Sequence, residues 1–159
     1  MTNWRSLAVL ALFIAICLAV AGAGAISTTG PVRNWYPALQ KPSWTPPSWL
    51  FGPVWTVLYL MMASAAWLVW QKHGVVNVKS ALGLFVFQLA LNAAWSPLFF
   101  GLKNPLAGLL DIIPLWVSIL ATLISFWIIS PAAGGLLVPY WLWVSFATAL
   151  NLAIWKMNR

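Results

Sequence analysis

Apolar residues run almost unbroken through five stretches of this sequence, at about 7–26, 49–71, 80–101, 105–129 and 134–155, and charged or turn-forming residues separate them. Each stretch supplies the roughly 20 apolar residues that a helix rising about 1.5 Å per residue needs to cross a hydrocarbon core about 30 Å thick. The uncharged run 112–154 is too long for one helix, and Ser130-Pro131-Ala132-Ala133-Gly134-Gly135 divides it with a proline and paired glycines. Asn104-Pro105 reads as a helix start, with asparagine as the cap and proline at the first helical position, where its missing N–H costs nothing. Links this short force neighbouring helices to run antiparallel. The pattern therefore predicts an all-α membrane protein, a compact bundle of five transmembrane helices with a long ordered loop between helices 1 and 2, forming a single transmembrane domain over 1–159.

The first stretch has a second reading. Arg5, an apolar run to about Ala21 and then Ala23-Gly24-Ala25 also fit a cleavable secretory signal, which would leave four helices. Its full 20-residue apolar length and the small-residue seam Ala15, Ala19, Ala23 favour a retained helix packed closely on its neighbours.

Composition agrees with lipid as the solvent. Of 159 residues 63% are hydrophobic and 6% charged, with mean hydropathy +0.91, whereas soluble domains carry about 25% charged residues. One cysteine and one histidine exclude a disulfide framework and a site built from several thiolates or imidazoles, so no metal site and no required cofactor are expected. Eight Lys and Arg stand against the single acid Asp111, all at or beyond the edges of the apolar runs. That scatter suits a membrane surface and anionic ligands; nucleic acid, which needs a clustered basic face, is not expected as a partner.

With five spans, Arg5, Lys72 and Lys79 share one side, and Arg33, Lys41, Lys103, Lys156 and Arg159 share the other. The positive-inside rule then places the first loop and the C-terminus in the cytoplasm. Tryptophans near span ends, including Trp4, Trp49, Trp70 and Trp155, suit the interface belt.

The connection 30–49 is the one long link, and prolines 31, 37, 42, 46 and 47 stiffen it. Long loops in compact proteins are usually functional. This one reads as a lid whose aromatics cover an apolar ligand while Arg33 and Lys41 meet its anionic edge; anchoring in the headgroup region is the alternative.

The string Trp35-Tyr36-Pro37-Ala38-Leu39-Gln40-Lys41-Pro42-Ser43-Trp44-Thr45-Pro46-Pro47 resembles the W-Y-x-x-L-x-K-P-x-W-x-P-P signature of the tryptophan-rich sensory protein (TspO) and translocator protein family, once called the peripheral-type benzodiazepine receptor. Gly52-Pro53-Val54-Trp55-Thr56-Val57-Leu58-Tyr59, the segment from Asn92 to Gly101, and Val138-Pro139-Tyr140-Trp141-Leu142-Trp143 with Phe146-Ala147-Thr148 agree in order and spacing. The resemblance implies a five-helix membrane receptor or sensor, often a homodimer, that binds porphyrins such as protoporphyrin IX, other tetrapyrroles and benzodiazepine-like molecules under the first loop.

By that resemblance the ligand-binding residues are Tyr36, Pro46, Trp55, Tyr59, Asn92, Trp95, Ser96, Trp143 and Ala147. The residue pattern makes chemical sense of them. Trp55 and Tyr59 share a helix face, as do Trp143 and Ala147. Gln88, Asn92 and Ser96 form a polar row, which in hydrocarbon must face the bundle interior or a ligand; interhelical hydrogen bonding is the competing role. No acid, base or nucleophile is assembled, so no catalytic residue is firmly assigned. Trp55 and Trp143 match positions that some relatives link to light-dependent porphyrin breakdown, the enzyme-like alternative to a binding or transport function. Many animal relatives carry a tyrosine followed by arginine near the end of helix 5 as a proposed cholesterol contact, and the stretch 149–156 has no tyrosine. Asp111, near the start of helix 4, reads as reaching toward the interface, His73 as solvated and Cys17 as packing.

Overall fold

In the computed structural model, which describes residues 4–159, five helices carry the chain: α1 Trp4–Asn34, α2 Phe51–Trp70, α3 Val78–Ser96, α4 Pro105–Ile129 and α5 Pro131–Met157. All five are long and apolar enough to cross a membrane. Packing follows the closed order α1, α2, α5, α4, α3 and back to α1, with the α4–α5 contact the most extensive. Outward faces carry Leu12, Ile26, Val57, Val86, Leu110 and Ile128, all at least 55% exposed. An apolar surface of that kind is satisfied by lipid and not by water.

α1 is longer than its apolar pattern predicts at both ends. Residues 27–34, expected beyond the end of the first span, continue the helix. Thr28 and Thr29 close their hydroxyls onto the carbonyls of Gly24 and Ala25 within the helix. Trp35 N donates to Pro31 O at 2.9 Å, so the turn carries on past the proline. Pro31 removes one N–H but leaves its own carbonyl free to accept, and near a helix end that loss is tolerable. Arg33 consequently stands in the last turn of α1, not in a loop. The connection shortens to 35–50 and contains two single-turn 3-10 segments, Tyr36–Ala38 and Ser48–Leu50.

α3 ends in a wider turn. Pro97–Gly101 form a π segment in which Leu102 N donates to Pro97 O at 2.9 Å. The extra residue in that turn helps bring Trp95, Phe99 and Phe100 to one wall. α4 starts as expected: Asn104 Oδ1 accepts from Leu106 N at 3.0 Å and Ala107 N at 3.2 Å.

The break between α4 and α5 is narrower than Ser130 to Gly135. Only Ser130 leaves helical geometry, with φ −154° and ψ 106°, and α5 begins at Pro131. Gly134 serves packing instead, since a Cβ there would lie 2.7 Å from Trp127 Cα. Gly108 does the same where α4 meets the π segment and α5: a Cβ there would lie 2.8 Å from Phe99 and 3.0 Å from Asn151 Oδ1.

Chain direction alternates along the sequence, so α1 and α3, neighbours in the ring, run parallel. The first loop, the α3–α4 turn and the end of α5 lie at one end, with Arg33, Lys41, Lys103, Lys156 and Arg159; the start of α1 and the α2–α3 and α4–α5 links lie at the other. At that second end Cys17, Met62, Val69, Phe85 and Phe126 are essentially fully buried and fill the bundle. Toward the first-loop end the filling stops.

Candidate functional site

A cavity of about 600 Å³ occupies the first-loop half of the bundle. Its size falls in the usual range of small-molecule sites, roughly 300–1,000 Å³. Every helix reaches it, α4 only through Ile112 and Leu115. α2 presents Phe51, Trp55 and Tyr59 at four-residue spacing, and α5 presents Trp143, Ala147 and Asn151 at the same spacing, so each helix turns one face inward.

The walls are aromatic. Trp55 lies 5.7 Å from Tyr59 and 6.2 Å from Tyr140, while Trp143 lies 5.7 Å from Phe51 and 5.6 Å from Phe146. Trp95 stacks on Phe99 at 5.1 Å and 21°. Trp35 and Tyr36 meet Phe99 and Phe100 edge-on or tilted, which fastens the start of the loop to the end of α3.

Beneath the aromatic walls runs a buried chain of polar side chains. The Tyr59 hydroxyl donates to Asn92 Oδ1, Asn92 Nδ2 donates to the Tyr140 hydroxyl at 2.7 Å, and that hydroxyl donates to Gln88 Oε1 at 2.9 Å. Three helices are tied at one level. The polar row predicted on α3 thus does both jobs it was offered: Gln88 binds its neighbours, and Asn92 binds them while also lining the cavity. One amide N–H of Asn92 is used in this chain, and the other remains for an occupant. Ser96 lines the cavity opposite Gly24, where an added Cβ would lie 3.3 Å from its Oγ.

Tyr36, Trp55, Tyr59, Asn92, Trp95, Ser96, Trp143, Ala147 and Arg33 stand together around this one cavity. Pro46 and Lys41 do not line it. Pro46 is half-buried in the loop near Trp44, whose ring packs 5.6 Å from Phe146. Lys41 Nζ donates to the carbonyls of Tyr36 at 2.8 Å, Pro37 at 3.2 Å and Leu39 at 2.8 Å, and sits 5.0 Å from the Tyr36 ring centroid. Its three N–H groups are occupied in folding the loop. Burial pushes the Tyr36 phenol above its ordinary range, so it stays a neutral hydroxyl at physiological pH.

Asn151 joins the site without having been singled out in the sequence. It accepts from Trp95 Nε1 at 3.2 Å and donates to Pro105 O at 2.7 Å. Its place four residues beyond Ala147 and eight beyond Trp143 was the available signal. Tyr140, the centre of the polar chain, is legible only as part of a motif, because nothing local shows that its hydroxyl meets α3.

The electrostatics are one-sided. Arg33 and the remaining Asn92 N–H offer protons, and no acidic side chain lines the wall; the Trp143 Nε1 is buried with no partner among the described residues. Asp111 is only 9% exposed and does not extend to the interface as its position suggested; its Oδ2 has no partner among the described residues. Cys17 is buried in the packed core, and His73 is exposed beside Trp70. Among the described residues no group of three or more His, Cys, Asp or Glu could hold a metal ion.

Known proteins are similar to this chain over most of its length. The TspO/MBR family model matches residues 13–156. The tryptophan-rich protein TspO of Chlorobaculum tepidum is 47% identical over 158 residues, covering 97% of this chain and 98% of its own. Protein CrtK of Rhodobacter capsulatus is 39% identical over 96% of this chain and 94% of its own, and the human translocator protein 44% identical over 82% and 78%. Five apolar helices closed around an aromatic cavity and this family match lead to one assignment: the chain is an integral membrane protein and belongs to the TspO/MBR family.

Proposed function

We propose that the protein is a membrane receptor or sensor for porphyrins, protoporphyrin IX and related tetrapyrroles, and that it also accepts benzodiazepine-like hydrophobic molecules. The observation that carries this reading is the pairing of an aromatic cavity of about 600 Å³ with proton donors and a single cation at its rim. Flat aromatic macrocycles gain from such walls, since each aromatic contact contributes about 0.5–1.5 kcal/mol beyond area burial. In this account Trp55 and Trp143 flank the ring system, Asn92 donates to an acceptor on it, and Arg33 meets a propionate. Ser96, Tyr36 and Ala147 shape the remaining wall. Pro46 acts through the loop, and Lys41 holds that loop shut. Relatives that carry the name translocator protein fit a role in moving or regulating such ligands, and a homodimer in the membrane is part of the proposal.

Dark titration of the detergent-purified protein with protoporphyrin IX, followed by tryptophan fluorescence beside a Trp143→Phe variant, tests it. Saturable quenching weakened by the substitution is expected. Equal, non-saturable quenching in both proteins means partitioning into detergent and ends the porphyrin reading.

A second reading, light-dependent degradation of bound porphyrin, has one observation in its favour: Trp55 and Trp143 both line the same cavity. It requires turnover to a defined product under illumination that phenylalanine at either position abolishes.

A further inference from the structure

Between α1 and α2 the cavity is lined by small residues. Residues that line the cavity and are themselves exposed form two stripes, Gly22, Ala25 and Thr29 on α1 and Gly52 and Thr56 on α2. The spacings of three and four residues keep each stripe on one helix face. A Cβ added at Gly22 or Gly52 would meet nothing within 4 Å, so neither glycine serves a tight helix–helix seam.

Among the described residues the side-chain hydrogen bonds between α1 and α2 all lie at the opposite end, where Trp67 Nε1 donates to Ser6 O at 3.0 Å and Gln71 Nε2 to Ser6 Oγ at 3.0 Å. Nothing equivalent ties the helices beside the cavity. Both threonines in the stripes turn their hydroxyls back into their own helices, Thr29 to Ala25 O and Thr56 to Gly52 O at 3.0 Å. With those hydrogen bonds made internally, the two stripes present small and apolar surface.

Its height matters as well. Gly22 lies twelve residues before Asn34, about 18 Å down the helix at about 1.5 Å per residue, whereas Arg33 stands in the last turn. Gly22 therefore stands at hydrocarbon depth, and the cation sits at headgroup level.

We propose that the space between these stripes is a lateral portal through which a flat apolar molecule bearing a carboxylate passes between the bilayer and the cavity, its ring system sliding between Gly22 and Gly52 and its carboxylate tracking Arg33. The inference rests on the ligand reading above, and it adds a route: the ligand arrives from the lipid and the loop need not open.

The test uses the full chain in phosphatidylcholine vesicles, with dark fluorescence quenching followed after rapid mixing with protoporphyrin IX and dissociation followed on dilution into empty vesicles. The double variant Gly22→Leu, Gly52→Leu places side chains in open space on helices that leucine favours. Both rates are expected to fall about tenfold, with the equilibrium constant changed less than about threefold, as a raised barrier of about 1.4 kcal/mol requires. Gly83→Leu, equally unobstructed on α3 and away from the cavity, is expected to match wild type. Unchanged rates in the double variant overturn the portal, and so does faster dissociation with weaker binding, which makes these residues part of the binding wall. Should the double variant not fold, Thr56→Leu alone is read by the same criteria. Failure of the ligand reading is seen separately, as absence of saturable quenching in wild type.

Discussion

Asn158 holds Gln40 by its backbone: Gln40 N donates to Asn158 Oδ1 at 3.0 Å, and Asn158 Nδ2 donates to Gln40 O at 2.9 Å and to Ile154 O at 2.7 Å. One side-chain amide just past α5 thus pins the middle of the first loop to a helix that lines the cavity. The residues lie 118 apart in sequence, and the bonds are solvent-exposed, so each contributes no more than about 1 kcal/mol.

Asn158→Ala is expected to leave the bundle folded and to loosen the loop. Hydrogen exchange should rise across residues 36–45 and stay unchanged in α4. Equal protection in wild type and variant means the aromatic contacts of Trp35 and Tyr36 hold the loop without this latch.

Arg33 and Lys41 differ in what they are free to do, although both were expected to face an anionic edge. Arg33 is exposed and lines the cavity, whereas Lys41 donates to three carbonyls. Arg33→Ala is expected to weaken a dicarboxylate porphyrin about two- to fivefold, in keeping with about 0.5–1 kcal/mol for an exposed ion pair, and to leave a neutral ligand unaffected. Added salt should shrink the difference. Lys41→Met is expected to weaken both ligands alike, because it orphans loop carbonyls. Charge-selective loss at Lys41 in a paired titration would refute this division.

The polar chain under the cavity makes a stability prediction. Tyr140→Phe removes the group that bridges Asn92 and Gln88 and leaves both amides short of a partner in a low-dielectric interior. The cost is about 1–3 kcal/mol, which at about 2–4 °C per kcal/mol for a chain of this size lowers Tm by several degrees. Tyr59→Phe, at the end of the chain, should cost less. A thermal scan in detergent that finds the two variants equal would mean the chain is not cooperative.

How much of this was legible in the sequence depends on the range of the interaction. Span existence was, because length and hydropathy alone decide it, and so was the Asn104 cap, a local hydrogen bond. The end of α1 was not, since the apolar run stops near Ile26 and Pro31 counted with the prolines of the loop, whereas the hydrogen bonds of Thr28, Thr29 and Trp35 carry the helix on. Gly134 read as a break for the same reason: sequence marks a glycine's freedom, but the Trp127 backbone it must clear lies on another helix. In the cavity, single-helix spacings such as Trp55 with Tyr59 could be read directly. The Asn92–Tyr140 bond between α3 and α5 and the engagement of Lys41 could not, because both depend on how distant segments fold against each other.

Orientation in the membrane is the remaining expectation the fold sharpens. The ring places Arg33, Lys41, Lys103, Lys156 and Arg159 at the cavity end and Arg5, Lys72 and Lys79 at the other, so five basic residues oppose three. Basic residues near span ends resist translocation, so the cavity mouth is expected on the cytoplasmic side. Cys17 is fully buried and offers little background thiol reactivity, and replacing it by serine removes even that. In that background Ser43→Cys reports the loop and His73→Cys the α2–α3 link, both exposed. An impermeant maleimide applied to intact cells should label His73→Cys and spare Ser43→Cys, and inverted vesicles should reverse the pattern. Labelling of Ser43→Cys from outside would place the cavity mouth on the outer face, where a porphyrin would be met on its way in and not after its synthesis.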